Sequence, residues 1–235
     1  MPSRRFRFPR SFEALTTNHR QVRKLTSQLS LDYITNNRNV LESRELKGLF
    51  ALDFHNGDDI SAQYSRLLEF LPAPFLISRG VSIPSGSYQF DSVLATYTAG
   101  SQRRLSGSSA LEIVSFYDGD KTAATFRGRV EVTPQLGLEP NVSVNWIDLP
   151  QGRFTTTIVG GRVFFTMTPR MFAAALIQYS SSTTSLSTNL RFRWEYQPGS
   201  ELFMVYSEGR STFPPRGTEL ESRGLVVKIN RLFRF

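Results

Sequence analysis

The sequence predicts an all-β protein, and three observations favour an antiparallel, up-and-down transmembrane β-barrel. Of its 235 residues, 19 are Phe, and about a fifth are Ser or Thr, which is typical of strands. Apolar and polar residues alternate along segments of ten or more positions, longer than the ~5–6 residues of most soluble strands. The connections between these segments are alternately tight and long, as in barrels that span outer membranes.

Alternation with a period of two defines twelve predicted strands. In the clearest one, Leu190, Phe192 and Trp194 share one face, whereas Arg191 and Arg193 share the other. The twelve predicted strands cover residues 22–34, 46–54, 59–70, 88–98, 105–117, 121–133, 137–147, 153–168, 171–180, 185–197, 201–208 and 223–235. Residues 22–235 are therefore expected to form the barrel domain, which could itself be part of a larger barrel.

The residues before the first predicted strand have a different character. Residues 1–21 are basic and contain proline, and we interpret them as a flexible tail or linker. They show no apolar stretch of the kind that forms a secretory signal. The longest uninterrupted apolar run in the chain, residues 171–177, is far shorter than the ~20 residues of a membrane-spanning helix.

The connections predict which strand ends lie together. Gly, Pro, Asn and Asp mark tight turns at residues 55–59, 100–103, 133–137, 168–170 and 198–200. The two long connections, residues 72–87 and 208–222, fall between the other strand ends. An up-and-down order would therefore place all the tight turns at one end of the sheet and both long loops at the other.

Composition argues against several kinds of function. The absence of Cys excludes disulfides and thiol catalysis, and the two His residues form no hydrolase or metalloprotease motif. Asp58 and Asp59 are interpreted as turn residues. We therefore predict no enzyme activity, no metal and no cofactor. The net charge of +8 suggests nucleic acid, but only the N-terminal arginines are clustered, so nucleic acid is not an expected partner.

Charged residues on the polar faces are the candidate lumen lining, because charge facing lipid is costly. Two interpretations stay open. Such a lining could form an anion-favouring path, or Arg and Glu could pair across strands and plug the lumen. The lumen-lining candidates are Arg66, Glu69, Arg127, Arg129, Glu131, Arg191, Arg193 and Glu195.

Aromatic residues near strand ends are predicted to form a girdle at the membrane interface. The candidates are Trp146, Trp194, Tyr196 and Tyr206. The same residues could instead form the core of a soluble all-β ligand-binding domain, either a sandwich or a lipocalin-like barrel. That soluble domain is the alternative hypothesis.

The end of the chain carries a further pattern. Val227, Ile229, Phe233 and the terminal Phe235 share one predicted strand face, interrupted by Arg231. This pattern resembles the C-terminal signal of outer-membrane proteins, which implies recognition by the barrel-assembly machinery during insertion.

More of the chain supports one family resemblance, over about residues 40–235. The segments that carry it are residues 71–75, 80–86, 106–107, 116–119, 172–179, 186–194, 198–199 and 202–206. They resemble the C-terminal barrel of a bacterial family of unknown function whose full-length members carry an N-terminal module similar to carbohydrate-binding family 9.

The resemblance implies a barrel in the outer membrane of a Gram-negative bacterium, in contact with outer-membrane lipid. It implies a membrane anchor or channel at the C-terminal end of a larger saccharide-related protein, with an upstream carbohydrate-binding module or a partner chain. That module and an export signal are both missing from the sequence, and the family supplies no catalytic residues.

Overall fold

Strands dominate the structure. The computed structural model describes residues 4–15, 21–35, 41–78, 80–213 and 217–233. Fifteen strands are formed there: β1 (Arg4–Leu15), β2 (Val22–Thr35), β3 (Leu41–Phe54), β4 (Asp59–Leu71), β5 (Phe75–Ser78), β6 (Val81–Ile83), β7 (Gly86–Ala99), β8 (Leu105–Phe116), β9 (Gly119–Glu131), β10 (Leu136–Leu149), β11 (Gly152–Thr168), β12 (Met171–Ser180), β13 (Ser185–Gln197), β14 (Ser200–Ser211) and β15 (Glu219–Asn230).

Thirteen of these strands form one antiparallel, up-and-down sheet. Its order follows the chain from β1 to β4 and then from β7 to β15, while β5 and β6 form a separate hairpin. Every pairing whose register is described is antiparallel. The predicted all-β class and the predicted strand order are confirmed.

All twelve predicted strands are present, and the largest differences lie at strand ends. The predictions for β12 and β13 coincide with the observed bounds. The final strand is predicted to reach the C-terminus, but β15 ends at Asn230. Beyond it, the backbone N–H of Leu232 donates to Ser200 Oγ at 3.0 Å, so a side chain takes the place of a strand partner there.

Residues 4–15 are the main departure from the prediction of a tail or linker over residues 1–21. They form β1, which pairs along its whole length with β2. Phe6, Phe8 and Phe12 stand at positions of the same parity, and the basic residues between them obscure this alternation. Pro9 is compatible with a strand because β1 is at one end of the strand order, where a missing N–H costs no inner ladder bond.

Two compact units divide the chain, and we describe each by itself. The first contains residues 1–102, 108–125 and 144–155, and the second contains residues 103–107, 126–143 and 156–235. Within each unit, alternate residues point to opposite faces of the sheet.

One face of the first unit is apolar and the other is polar. On the apolar face, Ile60 pairs with Tyr97 and Tyr64 pairs with Val93, and all four side chains are exposed. On the polar face, Ser65 and Ser92 are register partners, with hydroxyl oxygens 2.7 Å apart. The second unit repeats this division, with Leu190 and Tyr206 paired on its apolar face and arginines on the other.

The long connection between β4 and β7 folds over the polar face of the first unit. Its β5–β6 hairpin buries Ile83 completely and Val81 almost completely. These two residues pack against an apolar cluster at one end of the strands, whose buried members are Tyr88, Phe90, Val114, Ile147 and Leu149. The connection is thus an ordered cover for this end of the polar face, because exposing the cluster to water would be unfavourable.

Tyr117 is the aromatic centre of this cluster, in the turn between β8 and β9. Its ring lies 4.9 Å from that of Tyr88 and 5.1 Å from that of Phe90, both nearly perpendicular to it. Such edge-to-face contacts are favourable beyond the area they bury. Burial raises the pKa of the Tyr117 hydroxyl, and the negative charge of Glu69 raises it further.

Replacing Ile83 with Ala should destabilise the first unit by about 2–5 kcal/mol, because removal of the buried side-chain atoms would leave a cavity. Leu76→Ala is the matched control on the same hairpin: Leu76 is 66% exposed, so its loss should change stability by no more than ~0.5 kcal/mol. Denaturant-induced unfolding measures both variants. Equal effects would show that the hairpin does not depend on burial of Ile83.

Candidate functional site

The polar face of the second unit brings together predicted lumen-lining residues from several strands. Glu139 on β10 lies between two arginines. Its Oε2 accepts from Arg162 Nε at 2.8 Å, and its Oε1 lies 3.6 Å from Arg129 Nη1. Arg129 also lies 3.4 Å from Glu131, and its guanidinium carbon is 5.3 Å from the centre of the Phe164 ring. Arg–Glu pairs therefore form on this face, and the cross-strand pairs among them depend on Glu139, which was not among the candidates.

Arg193 and Glu195 are held close to the turn between β13 and β14. Arg193 Nε donates to Glu201 Oε2 at 2.7 Å. The carboxylate of Glu195 accepts from the backbone N–H of Gly199 at 3.1 Å. This second contact makes Glu195 a turn-stabilising residue, which its alternation with Arg193 in the sequence did not indicate.

Arg127 and Arg191 differ from the other arginines of this face. Among the described residues, neither has a carboxylate within ion-pair distance. Arg191 Nε instead donates to Asn189 Oδ1 at 2.9 Å. These two side chains therefore keep a positive charge that no neighbouring carboxylate balances.

The structure corrects the assignment of Arg66 to the polar lining. Arg66 and Glu69 are three residues apart on β4, so they point to opposite faces of the sheet. Arg66 shares the apolar face with Tyr64, and both bind Asp91: Arg66 Nε and Tyr64 Oη each donate to Asp91 Oδ1, at 2.6 and 2.5 Å. Glu69 remains on the other face, at the register position of Tyr88.

A similar charged cluster on the apolar face of the second unit was missed by the sequence analysis. Glu208 accepts hydrogen bonds from Tyr206 and Arg210 on its own strand and from Arg223 Nε on β15 at 3.1 Å. Tyr206, Glu208 and Arg210 stand at alternate positions, so their parity could have revealed that they share a face. Pairing lowers the cost of placing these charges among apolar side chains.

The four girdle candidates lie on or beside the apolar faces. Trp146 and Trp194 are 48% and 40% exposed. The Trp194 and Tyr196 rings are 6.0 Å apart in an edge-to-face arrangement. Tyr196 Oη donates to the backbone oxygen of Asn230 at 2.9 Å, and Tyr206 belongs to the Glu208 cluster. The hydroxyl groups of Tyr196 and Tyr206 therefore both donate to polar groups of the protein.

The proposed C-terminal signal residues do not all lie in a strand. Val227 and Ile229 are exposed residues of β15. Phe233 follows the strand, is 63% exposed, and lies under the Arg231 guanidinium at 5.0 Å from its ring centre. Phe235 lies outside the described residues.

Asp58 has the turn role expected for it. Its carboxylate accepts hydrogen bonds from the backbone N–H of Gly100 at 2.8 Å and from Tyr97 Oη at 3.2 Å. The backbone N–H of Asp58 donates to Asn56 Oδ1 at 3.0 Å. The side chain thereby joins the β3–β4 turn to the β7–β8 turn. It thereby stabilises this end of the sheet.

Comparisons with known proteins identify no relative: no family model, no curated protein and no solved structure matches the chain. The family resemblance therefore stays a prediction. Within the described residues, no helix has the length and apolar character needed to cross a membrane.

Replacing Glu139 with Gln should lower the midpoint of thermal unfolding, because Arg129 and Arg162 would then face each other without a shared counter-charge. The effect should shrink in 1 M salt, where the screening length falls to about 3 Å. Glu131→Gln is the matched control, since among the described residues the Glu131 side chain is ion-paired with Arg129 alone. A salt-independent loss, or an equal loss in the control, would contradict this role of Glu139.

Proposed function

We propose that the chain is an outer-membrane β-barrel that acts as a membrane anchor or channel. The observation that carries this proposal is the exposure of its apolar side chains. Among the described residues, 35 large hydrophobic side chains are exposed and only eight hydrophobic residues are buried. Soluble monomers rarely expose such continuous apolar surface, whereas lipid would cover it.

The polar face bears on whether the barrel is an anchor or a channel. In a barrel it faces the lumen, where Arg127 and Arg191 would favour anions. In a barrel, the Glu139 pairings in the second unit and the β5–β6 hairpin in the first would each occupy space on the lumen side, which supports a restricted path or a plugged anchor instead of a wide pore.

Further strands complete the proposed barrel. Single-chain bacterial barrels have an even number of strands, and the described residues contribute thirteen strands to the sheet. We therefore propose that the larger protein or a partner chain supplies the remainder. Outer-membrane lipid, the barrel-assembly machinery and an upstream carbohydrate-binding module are the proposed partners, and the outer membrane of a Gram-negative bacterium is the proposed location.

One observation favours the alternative of a soluble all-β ligand-binding domain. The cluster around Ile83 is a dry apolar core on one face of the sheet, as a soluble protein requires. It involves few residues compared with the exposed apolar surface, so the membrane proposal accounts for more of the molecule.

Solubility and gel migration separate these two functions. We expect the chain, purified as part of the larger protein or with the partner that completes its barrel, to require detergent. When folded, it should migrate differently on a denaturing gel before and after heating, because a closed barrel resists unfolding by detergent. The measurement is semi-native electrophoresis with size-exclusion chromatography. A chain that remains monomeric and folded without detergent would refute the membrane proposal.

Planar-bilayer recordings test the anion-favouring path. The double substitution Arg127→Glu and Arg191→Glu should shift the anion-to-cation permeability ratio towards cations by about five-fold, equivalent to ~1 kcal/mol. Arg104→Glu, in the β7–β8 turn, is the control for a charge reversal outside the strands. Unchanged selectivity in a folded double variant would exclude these arginines from the path, and a folded barrel without conductance would support the plugged anchor.

A further inference from the structure

We propose that the polar face of the second unit binds a small organic anion with an apolar body, such as an aromatic carboxylate, and that Arg191 binds the anionic group. This inference is independent of membrane insertion, because every residue it uses would also be accessible in a soluble domain.

A cavity of about 270 Å³ lies on this face. Its lining comes from β11 to β14 and includes Arg162, Phe172, Ala174, Asn189, Arg191 and Phe203. The space arises because the register partner of Arg191 is Ala174. The small methyl group of Ala174 leaves room, which the larger neighbouring side chains enclose. The cavity is just below the size range of typical small-molecule sites, which favours a compact ligand.

Hydrogen bonds orient the Arg191 guanidinium in this cavity. Its Nε donates to Asn189 Oδ1 at 2.9 Å, and Asn189 Nδ2 donates in turn to Ser207 Oγ at 2.8 Å. Since Nε is occupied, the two terminal nitrogens remain to donate to a ligand. A planar guanidinium held in this way suits the paired oxygens of a carboxylate.

Charge distinguishes Arg191 from its neighbours. Arg162 is paired with Glu139, and Arg193 is paired with Glu201. Among the described residues, Arg191 has no such carboxylate. The Arg191 side chain is exposed, so an anion that enters the cavity can reach its guanidinium and supply the missing counter-charge.

The aromatic side chains that line the cavity determine that the ligand carries an apolar group. Phe172 and Phe203 enclose the cavity on β12 and β14, and their carbon surface gains nothing from a fully hydrated ion such as inorganic phosphate. An apolar group attached to the anion would bury this surface and gain hydrophobic free energy. The site therefore selects for a carboxylate with an apolar body over a bare anion.

Isothermal titration calorimetry with benzoate as the probe tests the proposal on the full chain. We expect measurable benzoate binding to the unmodified protein, at least ~10-fold tighter than acetate. Arg191→Gln should weaken benzoate binding at least ~10-fold, as expected for loss of a charged hydrogen bond. Arg193→Gln is the matched control, because it removes the same charge from the same strand face but outside the cavity lining, and it should change benzoate affinity less than ~3-fold.

Circular dichroism first establishes that each variant is folded, and Asn189→Ala provides a second variant that leaves the charge in place while releasing the guanidinium. Weaker benzoate binding in both Arg191→Gln and Asn189→Ala would support an oriented site. Absence of benzoate binding, equal affinity for acetate, or equal losses in Arg191→Gln and Arg193→Gln would overturn it. None of these outcomes depends on detergent requirement or conductance, so the proposal can fail while the membrane function stands.

Discussion

Continuous antiparallel hydrogen bonding is the constraint on which the other features depend. Because successive residues of a paired strand point to opposite faces, a fixed register separates apolar from polar side chains over many strands at once. Four consecutive pairings in the second unit carry this separation from β11 to β15. A one-residue slip of β13 against β12 or β14 would bring Arg191 and Arg193 to the apolar face, so the register and the chemistry of the two faces stabilise each other.

Charge is handled differently on the two faces. On the polar face of the second unit Glu139 is shared between strands. Arg127 and Arg191 have no carboxylate partner in the part of the chain that the structure describes, which leaves an uneven distribution of positive charge. On the apolar faces, Asp91 and Glu208 are each surrounded by a tyrosine and at least one arginine. These compact pairings satisfy the hydrogen-bonding groups locally, and this makes isolated charge clusters compatible with an otherwise apolar surface.

The connection between β4 and β7 covers part of the polar face of the first unit. A long loop in the sequence would ordinarily be expected to extend into solvent, but here Ile83 is inserted against the strands. The polar face is therefore neither a uniform aqueous lining nor a solvated surface. In the first unit it carries an apolar cluster, and in the second unit it carries an Arg–Glu network.

Local periodicity was sufficient for the class, the strand order and most strand bounds, because the alternation of side chains is a property of the strand itself. It was also sufficient to place Arg129, Arg191 and Arg193 on one polar face. Parity by itself places Arg66 and Glu69 on opposite faces, and Arg66 was misassigned because it was grouped with Glu69. In β1, the basic residues between the phenylalanines obscured their regular spacing. Side-chain partners could not be predicted from periodicity. The pairing of Arg162 with Glu139 and the lack of a carboxylate partner for Arg191 among the described residues depend on cross-strand register. The burial of Ile83 depends on loop packing, and both bring together residues distant in the chain.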